Sequence, residues 1–564
     1  MNLKVTHPHS GLARLLALSV FVSAALVILL NFKSTAVTWP SSDNLPEVCR
    51  LLQSNCLTED FFTNASSGIT PRLPYAYFLS KVTKIAHNGI GGGLAVIKAL
   101  LLTLLPVAVS LFFIAAIKTH AENKDKDKDK EQWVASPANL IAIISAPLFV
   151  FFLQGKSGAI LSVAWWAPLT FEATAQNLSL LLTISGFLLI WLDRKGTGVI
   201  FIALGAVFHP AIGLFSSALS CILLCNFTSF KDASRLIYAG LGTSFIGAIF
   251  VKIFFEADNT ISAQDFVRIY AFEAHPSHYI PSQFGTLSGI PWFWSFAVVS
   301  IGLLFATVIL YKINSAAWKS SFLAFIAYSS SVLIQFIFVE TNQIKLIATL
   351  GPCRFTMFGP WFLFVFYFIA ILKFINGNQG FVKLSSAIYQ NLASARWIYI
   401  FASYVILGLA VVSYAYKSSD FDLPDDAKML ATFASEQTDS SDVFVLPPNA
   451  PRVEFPLKTG RGIFFGNGFP FSEKYFHEWE ERKAIVNGRN AEIVNLPGTW
   501  IGEKYANHYR SLLPKDFLNA AKKYKIDWVV IEADYSKNFS GCRADFHSPK
   551  YNAYSLLTLD ECTR

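Results

Sequence analysis

The residues best suited to chemistry in this chain lie in polar stretches between long apolar runs. The stretch from Leu57 to Leu79 joins the acidic pair Glu59 and Asp60 to Arg72, an arginine framed by Pro71 and Pro74. A second stretch, Phe272-Glu-Ala-His-Pro-Ser-His-Tyr-Ile-Pro-Ser282, holds Glu273, His275, His278 and Tyr279, with Arg268 just before it. A short turn carries Lys345 and Arg354, and His209 stands before Pro210 within an apolar run. A carboxylate within hydrogen-bond reach of a hydroxyl can take its proton as a bond to that oxygen forms. Arginine offers a planar fork of donors to phosphate oxygens and keeps its charge. Together these types suit group transfer from a sugar carried on a polyprenyl phosphate, where an acceptor hydroxyl loses a proton and a phosphate leaves. Asp60 is the first choice of base and Glu59 the second. Arg72, Arg268, Arg354 and Lys345 are the candidates for the donor phosphate. His275, His278, Tyr279, Glu273, His209 and Arg461 are the candidates for other substrate contacts.

Each of these residues also has an ordinary use. Acids at 59 and 60 suit the first turn of a helix, and arginines near a bilayer snorkel to headgroups. His275 and His278 could bind a divalent cation, hydrogen-bond a pyrophosphate or shape the loop around Pro276. Two imidazoles without a third ligand make a poor metal signature, so no metal ligand is assigned and a divalent cation is kept only as an alternative. His209 reads foremost as the cap of a helix break.

The elements that must position these groups are set by composition. Of 564 residues, 53% are hydrophobic and only 15% charged, and the mean hydropathy is +0.44. Such values belong to a polytopic α-helical membrane protein. The formal charge of +8 is spread between apolar runs rather than gathered in a basic domain, which argues against a nucleic-acid partner. About 11 spans are expected: one ending near Leu30, then about 93–117, 137–154, 178–192, a broken or re-entrant pair over 198–225, and 236–255, 291–311, 320–339, 355–373 and 397–415. The Lys-Asp run after His120 reads as a solvated cytoplasmic linker. With the N-terminus also cytoplasmic, the large loops 32–92 and 256–290 face outward.

Composition changes near residue 416, which divides a multispanning domain, 1–416, from a soluble extracytoplasmic α/β domain, 417–564. There a helix is expected over Asp425–Gln437 and another near Pro514–Lys523, with buried strands at Asp442–Leu446, at Gly462-Ile-Phe-Phe and at Asp527-Trp-Val-Val-Ile. Cys49 with Cys56, and Cys542 with Cys562, form two possible pairs on the outer side and suit an oxidising compartment.

A long first outer loop with an acidic pair, many spans and an outer C-terminal domain resemble the GT-C superfamily of membrane glycosyltransferases. Thr58-Glu-Asp is similar to that family's variable acidic motif. The resemblance implies a lipid-phosphate sugar donor, a glycan or lipid acceptor, work at the outer face of a bacterial inner membrane, and Asp60 as base. Glu59-Asp-Phe, Thr70-Pro-Arg, His209-Pro, His275-Pro-Ser-His, Gly460-Arg-Gly, Pro447-Pro448 and Glu478-Trp-Glu-Glu-Arg482 also resemble a group of uncharacterised bacterial multispanning proteins with an outer C-terminal domain, which implies architecture and no activity. A surface-glycan polymerase or ligase, a transporter with His209 on its path, and a non-catalytic scaffold are the alternative functions.

Overall fold

The computed structural model describes residues 45–66, 70, 72–86, 89–121, 172–225, 230–256, 260–284, 291–313, 315–376, 423–452, 454–466, 468–470, 472–488 and 501–564, with isolated positions between 145 and 163. The expected spans ending near Leu30 and over 397–415 lie outside these residues, and the one over 137–154 lies almost wholly outside them. The chain divides into a helical unit (1–36, 95–251 and 277–418) and a mixed unit (37–94, 252–276 and 419–564). The mixed unit thus joins much of both large loops to the C-terminal residues.

In chain order the helices used below are α1 (Leu45–Leu52), α2 (Phe61–Ala65), α3 (Leu73–Ile85), α4 (Gly89–Ala121), α5 (Ala175–Trp191), α6 (Lys195–Phe208), α7 (Pro210–Leu224), α8 (Trp292–Lys312), α9 (Trp318–Gln335), α10 (Gly359–Asn376), α11 (Asp425–Gln437) and α12 (Phe476–Asn487). Among the described residues, four helical stretches are long and apolar enough to cross a membrane: Gly89–His120, Trp292–Lys312, Trp318–Thr341 and Lys345–Phe374. The expected count of about 11 is not established by them. α8 turns Trp294, Ile301 and Phe305 outward while burying Val299, Leu303 and Ala306, the pattern of a helix that is apolar on all sides and faces lipid.

The apolar run over 198–225 is a hairpin. α6 has 14 residues and so rises about 21 Å, short of the ~30 Å hydrocarbon thickness. Pro210 has no N–H to lose at the start of α7, and His209 breaks the helix in extended conformation (φ −154°, ψ 94°). The His209 Nδ1 accepts from Ile212 N at 3.3 Å, and Ser179 Oγ donates to the His209 carbonyl at 3.3 Å. α5 and α6 meet backbone to backbone: a Cβ on Gly186 would lie 2.6 Å from the Gly198 carbonyl, and one on Gly198 2.5 Å from that of Gly186. Small residues allow such close approach between apolar helices.

The mixed unit holds a five-stranded sheet of order β2-β1-β3-β5-β4, with β1 at Val443–Val445, β2 at Gly462–Ile463, β3 at Trp528–Glu532, β4 at Phe546–His547 and β5 at Tyr551–Ser555. β2, β1 and β3 run parallel, β5 runs antiparallel to β3, and β4 antiparallel to β5. All three residues of β1 are buried, as a central parallel strand requires. Leu430, Phe433, Phe444, Phe455, Val530 and Tyr551 form the centre of its core.

Both cysteine pairs are bonded, Cys49 to Cys56 and Cys542 to Cys562. The second closes a loop of sequence separation 20, for which chain entropy gives about 3 kcal/mol. Replacing Cys542 and Cys562 by serine is expected to lower the stability of the C-terminal residues by about that amount, measured as a fall in midpoint on chemical denaturation. An unchanged midpoint would show that the bond constrains nothing in the unfolded chain.

Candidate functional site

Asp60 is the N-cap of α2. Its Oδ2 accepts from Thr63 N and from Thr63 Oγ1, each at 2.7 Å, and its Oδ1 accepts from Ile463 N at 3.0 Å. Only 2% of the residue is exposed. Burial pushes the carboxyl pKa up, against the pull of those hydrogen bonds and of Arg482. The first loop is thereby fastened to the end of β2, and the approach is close enough to need glycine. A Cβ on Gly462 would lie 3.0 Å from Asp60 N, and one on Gly468 would enter the Phe62 ring at 2.2 Å.

Arg482 lies beneath the same junction. Its guanidinium sits 4.4 Å from the Phe61 ring centre, 4.7 Å from Phe464 and 4.6 Å from Tyr524. Arg482 Nη1 also donates to the Phe464 carbonyl at 2.9 Å, and Nη2 pairs with Glu478 at 2.7 Å. Arg461 is used locally as well: Nη2 donates to the Ser435 and Thr438 carbonyls at 3.1 and 2.6 Å, and Nη1 to Thr459 at 2.9 Å. It closes the C-terminal end of α11. The Glu59-Asp, Gly460-Arg-Gly and Glu478-Trp-x-x-Arg stretches therefore share a structural task. Glu59 itself is exposed, 3.7 Å from Lys525.

Arg268 is held by acids: Glu273 and Glu480 each at 2.5 Å, and Asp265 at 3.6 Å. Lys483 donates to the Glu273 carbonyl at 3.1 Å, and burial raises the Glu273 pKa despite that lysine. His275 packs edge-on between Tyr270 and Phe469, at 5.3 and 5.4 Å between ring centres. In the helical unit, Arg354 donates to the Tyr279 hydroxyl and stands over its ring at 5.0 Å. The His278 carbonyl accepts from Cys353 Sγ at 2.9 Å. Burial, then the Arg354 charge, pushes the His278 imidazole down to about 3, so it stays neutral at physiological pH. Lys345 is half-buried at the start of its short helix, Lys345–Leu350. Within the helical unit, then, Arg354 stands with His278 and Tyr279; within the mixed unit Arg268 pairs with Glu273, and Asp60 sits at the loop junction. Among the described residues no group of three or more His, Cys, Asp and Glu side chains could hold a metal ion.

Glu47 was not among the sequence candidates. It lies on α1 with 7% of its surface exposed, and among the described residues neither carboxyl oxygen has a hydrogen-bond partner. Burial pushes its pKa up to about 7, with the nearby Arg72 guanidinium pulling the other way. Arg72 occupies the N-cap position of α3 and lies 5.7 Å from the Phe62 ring centre. A buried carboxyl without partners is costly, and one that titrates near neutrality beside a cation is the arrangement expected of an acid–base group. The only sequence signal is Asn44-Leu-Pro-Glu47, which reads as an ordinary helix start with an acid at its third position. Lys98 was missed too. It is 1% exposed within apolar α4 and pairs with Glu172 at 3.1 Å.

No family profile matches the chain, and no curated protein matches it. Among solved structures it is similar to the oligosaccharyltransferase of Archaeoglobus fulgidus. The crystal form tethered through a disulfide to an acceptor peptide containing the NVT sequon gives a TM-score of 0.44 at 13% identity. The apo form gives 0.42 at 12%. Each covers 92% of this chain and 69% of the other.

Proposed function

We propose that this protein transfers a glycosyl group from a polyprenyl-phosphate carrier to a hydroxyl of a glycan or lipid acceptor, at the outer face of a bacterial inner membrane. The observation that carries the reading is Glu47: a buried carboxyl with no hydrogen-bond partner among the described residues, its pKa pushed up to about 7 beside Arg72. In the deprotonated form it takes the proton of the acceptor hydroxyl, directly or through one water. The freed oxygen bonds to the anomeric carbon from the face opposite the phosphate, the bond from that carbon to the phosphate oxygen breaks, and the configuration inverts. The polyprenyl phosphate leaves with the electron pair, and the Arg72 guanidinium stabilises its charge. Asp60 takes the role of the tie that holds α2 to β2, because both its oxygens already accept from protein donors.

The test is the lipid-linked glycan profile of cells carrying wild-type protein, Glu47→Gln or Arg72→Gln, with membrane abundance measured for each. The reading expects a glycan one sugar short and accumulation of its polyprenyl-phosphate donor. Unchanged glycans in both variants at normal abundance would refute it and favour transport or scaffolding. In a reconstituted assay Arg72→Gln is expected to raise the KM for the lipid-linked donor by about 10–100-fold, the value of a charge-assisted hydrogen bond. It should also move the alkaline-rising limb of the rate upward in pH, since Arg72 holds the Glu47 pKa down.

A further inference from the structure

α3 has two unlike faces. Tyr75, Ala76, Leu79, Ser80 and Thr83 are buried, whereas Tyr77, Lys81, Lys84 and Ile85 are exposed and fall within an arc of about 100° at 100° per residue. Tyr77 is 53% and Ile85 82% exposed, so the open face carries large apolar groups as well as charge. Lys81 Nζ lies 4.8 Å from the Tyr77 ring centre, and the helix contains no acid. Only residues 86–88 separate Ile85 from the start of apolar α4, a reach of roughly 10 Å. A helix that close to the mouth of a membrane span, with lysines and an aromatic ring on its free face, has the make-up of an interfacial helix.

We infer that the Tyr77–Lys81–Lys84–Ile85 face of α3 seats on the headgroup layer of the bilayer and selects anionic phospholipids. Lys81 and Lys84 meet the lipid phosphates, while Tyr77 and Ile85 enter the first methylenes beneath them. The inference rests on α4 crossing the membrane and is independent of the transfer reaction.

The experiment places p-benzoylphenylalanine at position 77 of the full-length protein in nanodiscs of phosphatidylcholine, with or without phosphatidylglycerol, and reads covalent adducts by mass after irradiation. The same probe at Phe305, exposed on α8, reports general lipid contact. Position 77 is expected to give a phospholipid adduct, several-fold more with phosphatidylglycerol present, and Lys81→Gln with Lys84→Gln is expected to erase that preference. Adducts at 305 but none at 77 would overturn the docking, as would crosslinking of position 77 to protein. A yield indifferent to phosphatidylglycerol, or a preference that survives loss of both lysines, would overturn the selectivity.

Discussion

Glu47→Gln is expected to reduce glycosyl transfer by about 10²–10⁴-fold, the usual contribution of a positioned acid–base group, while leaving the protein as stable as before or more so. In the wild type, kcat/KM should rise with pH through about 7 as the Glu47 carboxyl loses its proton, and level off above. The glutamine variant should lack that limb. The stability side follows from the same shift. The folded pKa of about 7 lies above the ordinary 4.5, so the native state holds the proton more tightly than the unfolded chain. Between those values stability therefore falls as pH rises, by up to about 3 kcal/mol at about 1.4 kcal/mol per unit. Glutamine avoids that loss. Thermal midpoints measured across pH 5–8 should differ between the two proteins by an amount that grows toward alkaline pH. A variant that loses activity in parallel with its midpoint would return Glu47 to a purely structural role.

The second large effect belongs to Asp60 and has the opposite character. Asp60→Ala removes the acceptor of three protein donors, two on Thr63 and one on Ile463, and takes a nearby negative charge from the largely buried Arg482. Leaving a buried donor without its acceptor typically costs about 1–3 kcal/mol, so a loss of several kcal/mol is expected in the mixed unit, read as low membrane abundance and a depressed midpoint. Asp60→Asn keeps the shape and one acceptor oxygen but turns an NH₂ toward a donor, so an intermediate loss is expected. If Asp60→Asn instead keeps full abundance and midpoint yet abolishes transfer, the base is Asp60 and the assignment to Glu47 fails.

Much of the architecture is legible because it rests on local patterns. α11 begins at Asp425 and ends at Gln437, where paired acids open an amphipathic stretch. Short β-branched and aromatic runs mark β1 and β3, and the His209-Pro210 break marks the hairpin tip. β5, Tyr-Asn-Ala-Tyr-Ser, was missed because it lacks such a run and gains its strand form from pairing with β3. α12 was missed because its charges, half-buried Glu480 and exposed Glu481 among them, mask the buried Phe476, Trp479 and Val486. The candidate site was read least well, since partner choice is not a local property. Nothing near Asp60 shows that its carboxylate belongs to Ile463, and nothing near Glu47 shows that its carboxyl is left without a partner.

The Asp60–Ile463 hydrogen bond spans 403 positions of sequence, and this has a consequence for biosynthesis. At about 5–20 residues per second of synthesis, the first loop waits roughly 20–80 s before its partner strand has been made. Through that interval the cap acceptor, the aromatic side chains of Phe61 and Phe62 and the reduced thiols of Cys49 and Cys56 are open to water, to oxidants and to other nascent chains. The seven-residue spacing of those cysteines lets the loop close its own bond early, before any distant segment exists. Oxidative closure of the first loop thus precedes its docking on β2, and the interval between the two is where a holding chaperone would act.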